Sequence, residues 1–173
     1  DIDKNLLKRF ASDNKDIKLG FGDIEKGDYF FKNEKYDTIV CLNVLEHLRN
    51  DLAALRNMNE LLKENGNLIV LVPGHKFLYG SLDRSIGHFR RYEKDKLVNK
   101  LKKSGFFNIY VRRLNLVGFI GWFLVSRFLG QEVLSRRNIR IFNILAPFFL
   151  ILENFIESPI GTSILIISRK SEK

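Results

Sequence analysis

Two apolar runs set the terms for this chain. Tyr36-Asp-Thr-Ile-Val-Cys-Leu42 and Asn67-Leu-Ile-Val-Leu-Val72 are rich in β-branched residues and read as strands buried on both faces. Between them, Asn50 to Lys63 sets Leu52, Leu55, Leu61 and Leu62 on a helical pattern and closes on Glu64-Asn65-Gly66, a stop signal. Buried strands separated by a helix predict parallel pairing joined by a crossover.

The flanking segments extend this order. Lys4 to Ala11 predicts a short helix, and Ile17 to Phe21 a strand ending at Gly22-Asp23. Pro73-Gly74 cuts the second apolar run. Glu93 to Ser104 predicts an amphipathic helix with Leu97 and Leu101 inward and lysines outward, stopped by Gly105. Asn108 to Arg113 and Ser163 to Arg169 complete the strands and are expected to pair antiparallel at one edge. With 173 residues and 45% hydrophobic content, the chain suits one domain with a real core. The expected fold is α/β: a Rossmann-like, mainly parallel sheet with helices on both faces, an antiparallel edge strand and a helical insertion before the last strand. The α/β domain takes 1–113 and 157–173, and 114–156 is the apolar insertion. No internal repeat or low-complexity tract interrupts it.

The insertion holds Leu116-Val-Gly-Phe-Ile-Gly-Trp-Phe-Leu-Val125 and Ile141-Phe-Asn-Ile-Leu-Ala-Pro-Phe-Phe-Leu-Ile-Leu152. Neither run reaches the roughly 18 to 20 apolar residues that span a bilayer. Two readings stand: a helical subdomain on the sheet edge or at a homodimer face, and a peripheral membrane element with Arg136, Arg137 and Arg140 at head groups. The formal charge of +9 gathers in His88-Phe-Arg-Arg-Tyr92, Lys94 to Lys103, Arg112-Arg113 and 135–140. Such a surface attracts nucleic acid, anionic lipid or a phosphorylated substrate, although each single cluster also reads as a solubilising face. Nucleic acid is disfavoured because no recognition motif accompanies the charge and the aromatics sit in apolar runs. Cys41, the sole cysteine, excludes an intramolecular disulfide and reads as a small core residue. Without a secretory pattern at Asp1-Ile-Asp-Lys4, the expected location is cytoplasmic, with the insertion as a peripheral membrane contact.

In an open α/β sheet, ligands sit beyond the carboxyl ends of the strands. Asp1 stands where a strand would end before the helix at Lys4, and a carboxylate there can accept both ribose hydroxyls of an adenosine. Asp23, about twenty residues on, can accept from an adenine amino group, with Ile24 and Leu42 sandwiching the ring. Taken singly, Asp23 is as readily a turn residue.

These positions carry a family resemblance. Asp1-Ile-Asp-Lys-Asn-Leu-Leu7 resembles the acidic motif ending the second strand of class I S-adenosylmethionine-dependent methyltransferases, and Gly22-Asp23-Ile24 resembles their third-strand motif. Tyr36-Asp-Thr-Ile-Val-Cys-Leu-Asn-Val-Leu-Glu-His-Leu48 is similar to the fourth-strand motif. Leu61-Leu-Lys-Glu-Asn-Gly-Asn-Leu68 is similar to the approach to strand five. Gly87-His-Phe-Arg-Arg-Tyr92 and Ser104-Gly-Phe-Phe107 resemble the late substrate-side segment. The resemblance implies that S-adenosylmethionine is the cofactor and S-adenosylhomocysteine the product. Asp1 would bind ribose (Asp3 competes for this contact), Asp23 and Ile24 the adenine, and Leu42 and Asn43 would line the pocket near the methionine part. Glu46 and His47 read mainly as helix-start residues that shape the pocket. The family's first strand and Gly-rich loop belong before Asp1, and Gly20-Phe-Gly-Asp23 is the wrong element to replace them. Residues upstream of Asp1 are therefore expected in the natural protein, and the chain as written is expected to bind cofactor poorly.

Methyl transfer from a sulfonium chiefly requires alignment and exclusion of water, with a base for some acceptors. His88 is the first candidate base, because nearby cations favour a neutral, accepting imidazole, and His75 is the second. Both also read as loop-ordering histidines. Tyr79, Asp83 and Tyr92 are placed at the acceptor site, and Arg90 and Arg91 would hold a phosphate or carboxylate or pair with Asp83. Three scattered histidines and one cysteine lack ligand spacing, so no metal site is expected. Two functions stay open: methyl transfer to a small-molecule or lipid-linked acceptor, and a non-catalytic, membrane-associated or oligomeric methyltransferase-like partner.

Overall fold

The computed structural model describes Phe10, residues 17–29 and 33–122, the single positions Arg140, Ile144, Pro147 and Ile151, and residues 159–172. Asp1, Asp3, most of the expected helix at Lys4 to Ala11 and most of 123–158 lie outside the described residues. Phe10, within that expected helix, is helical, as are Arg140, Ile144, Pro147 and Ile151.

From Tyr36 onward the expected strands and helices occur in the predicted order, joined by elements the sequence did not predict. Strand β1 (Gly22–Asp23) and β2 (Asp28–Tyr29) form a small antiparallel hairpin. Strand β3 (Tyr36–Leu42), helix α1 (Asp51–Leu61) and strand β4 (Leu62–Pro73) form the crossover unit. Helices α2 (Ser81–Ser85) and α3 (Lys94–Lys103), strand β5 (Phe106–Leu114), helix α4 (Leu116–Trp122) and strand β6 (Ser163–Lys170) follow. Among the described residues no helix is long and apolar enough to cross a membrane.

The sheet order is β3-β4-β6-β5. β3 and β4 pair parallel, as the apolar runs predict, whereas β6 is antiparallel to both β4 and β5. The expected mainly parallel sheet is thus mixed among the described residues. The last two strands do pair antiparallel at one end, but the edge belongs to β5, because β6 inserts between β4 and β5. Two further expectations shift. Strand character begins at Gly22, not at Ile17, because Asp23 Oδ1 takes the N–H groups of Glu25 and Lys26 (3.0 and 3.4 Å) and Gly27 adopts φ 71°, reversing the chain at once. β4 opens at Leu62, so Glu64-Asn65-Gly66 forms a bulge inside the strand, and the register jumps from Tyr36↔Leu62 to Thr38↔Asn67. A Cβ on Gly66 would lie 2.9 Å from Lys63 O and 3.2 Å from Asp37 O, so only glycine fits that bulge without movement.

One face of the sheet is the core. Leu68, Val70 and Val72 of β4 and Ile164 and Ile166 of β6 meet Ala54, Leu55 and Met58 of α1 and Leu97 and Leu101 of α3. Both helices therefore cover the same face. On the other, the cross-strand row Val40, Ile69, Ile167 and Tyr110 keeps Val40, Ile167 and Tyr110 exposed. Helices on both faces are thus not seen among the described residues.

A buried ion network ties the helices together. Asp51, in the first turn of α1, accepts hydrogen bonds from Tyr92 Oη (2.8 Å) and from Lys100 Nζ on α3, with Arg90 Nη1 3.2 Å away. Burial pushes the Asp51 carboxyl up, but the hydrogen bonds from Lys100 and Tyr92 and the charges of Lys100 and Arg90 outweigh it and hold it below the ordinary range. Because the folded value is depressed, its stabilisation is complete above the unfolded carboxylate value, about 3.9, and disappears as pH falls through the folded value. The native chain should lose urea stability below about pH 4 more steeply than Asp51→Asn. Equal slopes in that window would show that Asp51 is not the group responsible.

Candidate active site

The site is built where the parallel pair ends. After Leu42, Asn43 takes a left-handed conformation (φ 50°) and donates its N–H to Leu71 O at 2.8 Å. The chain then winds through a 3-10 turn, Leu45–His47, which turns Glu46 inward to zero exposure and leaves His47 outside. The second part is the excursion 75–91. Its base is closed by the parallel bridge Gly74↔Tyr92, with Tyr92 N–H to Pro73 O and His75 N–H to Tyr92 O, both 2.9 Å. Its far end is tied to the turn by Phe89 N–H to Glu46 O at 2.8 Å.

Asp83 organises this excursion. It is fully buried and accepts from Gly80 N–H (3.0 Å), Arg91 Nε (2.8 Å) and His88 Nδ1 (2.9 Å). Burial raises its carboxyl, but His88 and Arg91 outweigh burial and keep it below the ordinary range. In the neutral imidazole, the hydrogen bond to an ionised Asp83 places the proton of His88 on Nδ1 and the lone pair on Nε2. Arg91 also donates to Gly74 O at 3.2 Å and stacks 4.5 Å over the Trp122 ring. Tyr79 Oη donates to His88 O at 2.8 Å.

Facing His88 is Glu46. Its Oε1 lies 3.9 Å from His88 Nε2, beyond hydrogen-bond reach, and among the described residues no other residue donates a hydrogen bond to either carboxylate oxygen. Burial pushes the Glu46 carboxyl up despite its own backbone N–H and the charges of His88 and Arg91. His47 packs edge-on against His88 with ring centres 4.7 Å apart, and its Nδ1 lies 3.2 Å from Gly87 O. Burial and the neighbouring His88 lower its pKa.

The predicted residues therefore divide. His88, Asp83, Arg91 and Tyr79 come together; the Arg-Asp83 loop pairing is present, and a carboxylate, not a cation, is the immediate partner of His88. Arg90 and Tyr92 face the Asp51 network instead: Arg90 also donates to Arg49 O at 2.9 Å, and Tyr92 to Leu45 O at 3.0 Å. His75 belongs to an aromatic cluster, 5.5 Å from Phe77 and 5.4 Å from Phe119 between ring centres, and burial lowers its pKa. Leu42 and Asn43 are exposed at the end of β3. Asp23 serves the turn described above, and Ile24, packed on the core, accepts from Asn57 Nδ2 at 2.7 Å. Glu46 and His47 hold a larger place in the site than a helix start. The available signal was a charged pair set among Leu45 and Leu48 directly after a buried strand.

Residues 4–111 match the methyltransferase domain family, and the chain belongs to that family. The resemblance read from the motifs therefore holds. An uncharacterized protein of Methanocaldococcus jannaschii is 32% identical over 110 residues, 64% of this chain and 45% of that protein. The chain thus spans less than half the length of this curated relative. Among solved structures, a SAM-dependent methyltransferase from Archaeoglobus fulgidus gives a TM-score of 0.59 at 16% identity, covering 98% of this chain and 74% of that one. The N-methyltransferase NodS from Bradyrhizobium japonicum, in complex with S-adenosyl-L-homocysteine, gives 0.56 at 15% identity, covering 99% and 65%. These likenesses show an α/β, methyltransferase-like fold.

Asp83→Asn should cost about 3–5 kcal/mol in urea unfolding, because it strips the buried Arg91 of its counter-charge. Lys63→Ala, which removes an exposed ion pair with Asp37, should cost no more than about 1 kcal/mol. Similar losses in the two variants would show that Asp83 is not the organising group.

Proposed function

We propose that this chain carries the methyl-transfer site of an S-adenosylmethionine-dependent methyltransferase acting on a small-molecule or lipid-linked acceptor. The observation that supports the reading is the juxtaposition, beyond the parallel strand ends, of an open apolar edge and a desolvated acid–base cluster. Leu42 is half exposed beside Asn43, a surface suited to a flat adenine, while Glu46, Asp83 and His88 lie immediately past the same turn. On this reading Leu42 and Asn43 would line the cofactor pocket, with Asp23 and Ile24, and Asp1 from the sequence, on the adenosine side. S-adenosylmethionine supplies an electrophilic methyl group, whose loss leaves S-adenosylhomocysteine.

The chain's own residues position and desolvate the acceptor. His88, with 9% of its side chain exposed, would in its neutral form present the Nε2 lone pair, its Nδ1 being held by Asp83. Glu46 and Asp83 bring negative charge to that side, and the closed base of the excursion holds the cluster rigid. His75, among Phe77 and Phe119, has no part in this arrangement. A lipid-linked acceptor is favoured by the apolar segment 114–156, and contact with the cytoplasmic face of a membrane would follow from it.

Calorimetric titration of S-adenosylhomocysteine into the product of the complete reading frame tests the reading. Binding is expected, and Leu42→Asp should weaken it at least tenfold, about 1.4 kcal/mol. A folded product that does not bind would move the assignment to the non-catalytic partner.

A further inference from the structure

We propose that Glu46, His47 and His88 form a binding site for one divalent cation of the zinc class. One ligand atom from each of the three lies within 4.8 Å of the others. A metal bonded at about 2.0–2.2 Å to three such atoms sets them roughly 3.4 Å apart, so the widest gap has to close by up to about 1.4 Å. His47, the exposed member, has room to move, and it opens the site to solvent.

Three independent features prepare these residues for a cation. First, each imidazole has its Nδ1 occupied: His88 by Asp83 Oδ1 at 2.9 Å, His47 by Gly87 O at 3.2 Å. An imidazole whose Nδ1–H is held by a carboxylate or carbonyl keeps its Nε2 lone pair for a metal, and this is the usual outer support of metal-bound histidine. Second, Glu46 has zero exposure, and among the described residues no other residue donates a hydrogen bond to either of its oxygens. A carboxylate in that position is costly unless something positive answers it. The nearest imidazole nitrogen, at 3.9 Å, leaves the gap a bridging ion would fill. Third, the charge balance is right. Arg91 is neutralised by Asp83 at 2.8 Å, so Glu46 leaves the cluster negative when ionised.

The cluster is also assembled rigidly. Glu46 and His47 share one 3-10 turn, and the loop carrying His88 is bonded to that turn through Phe89 N–H and Glu46 O. Two imidazoles and one carboxylate leave coordination positions open, as in sites that bind an oxygen ligand. A hydroxyl or carboxylate oxygen of the methyl acceptor is the ligand those positions suit; that use rests on the methyl-transfer reading, whereas the site itself does not.

The test uses the metal-stripped product of the complete reading frame, titrated with Zn2+ by calorimetry and with Co2+ by visible absorption. One cation per chain is expected. Glu46→Gln, His47→Gln and His88→Gln should each weaken binding at least tenfold, and His75→Gln should leave it unchanged. In the Co2+ form, two hyperfine-shifted, exchangeable imidazole N–H signals are expected, from His47 and His88, and this readout needs no variant to fold. No stoichiometric binding, full affinity in Glu46→Gln, or fewer than two such signals would overturn the site. Titrating S-adenosylhomocysteine into the same samples separates the two readings: cofactor binding without cation binding sinks only the metal site, and the converse sinks only the methyltransferase assignment.

Discussion

The excursion between β4 and α3 depends on Asp83: a buried carboxylate is costly unless donors answer it, and Asp83 has three. It gathers a backbone N–H, a guanidinium and an imidazole. Each of the three donors would lose this acceptor without it, and the buried Arg91 guanidinium would lose its bonded counter-charge, the costliest of the three outcomes. The arrangement also sets the tautomer of His88. Structure and chemistry therefore share one atom, Asp83 Oδ1, which accepts from both Arg91 and His88.

Residues 90–92 show how two networks are kept apart. In an extended segment, successive side chains point to opposite sides. Arg90 and Tyr92 accordingly meet Asp51 at the start of α1, while Arg91 meets Asp83. One side braces α1 against α3 and the other braces the candidate site. The bridge between Gly74 and Tyr92 holds the segment extended, so the alternation is imposed by β4 itself. Tyr92, with its hydroxyl donating to Asp51 and its backbone pairing with Pro73 and His75, is the hinge between the two.

Much of this was legible in the chain. The runs at 36–42 and 67–72 have strand composition and the leucines of 50–63 and 93–104 fall on one helical face each, so β3, α1, β4 and α3 were readable, although β4 opens five residues early and β3 leaves Val40 and Leu42 exposed among the described residues. Sheet order was less so. Nothing local in Ser163–Lys170 distinguishes an edge strand from an inserted one, because its inward residues, Ile164 and Ile166, alternate with partly exposed ones in either position. The hairpin at 22–29 was missed because one side-chain oxygen of Asp23 reverses the chain, a contact that periodicity does not register. In the site, Asp83 and Arg91 were recognisable as a pair because only eight residues separate them. Glu46 and His88 stand 42 positions apart, and only the crossover through α1 brings them together.

That crossover also explains where the chemistry lies. Parallel strands deliver their following loops to the same end of a sheet, whereas antiparallel neighbours send them to opposite ends. β3 and β4 are the parallel pair among the described strands, and the turn after β3 and the excursion after β4 are the segments that hold Glu46, His47, Asp83 and His88. β6 runs the other way and brings the sheet interior Ile164 and Ile166, while its buried Lys170 turns to Leu62 O and Glu64, not to the Asp83 cluster. The polar groups are thus confined to loops rooted on one rigid pair of strands. Their spacing is set by the continuous register between Thr38–Leu42 and Asn67–Leu71, and a cluster of four ionisable side chains keeps its geometry for that reason.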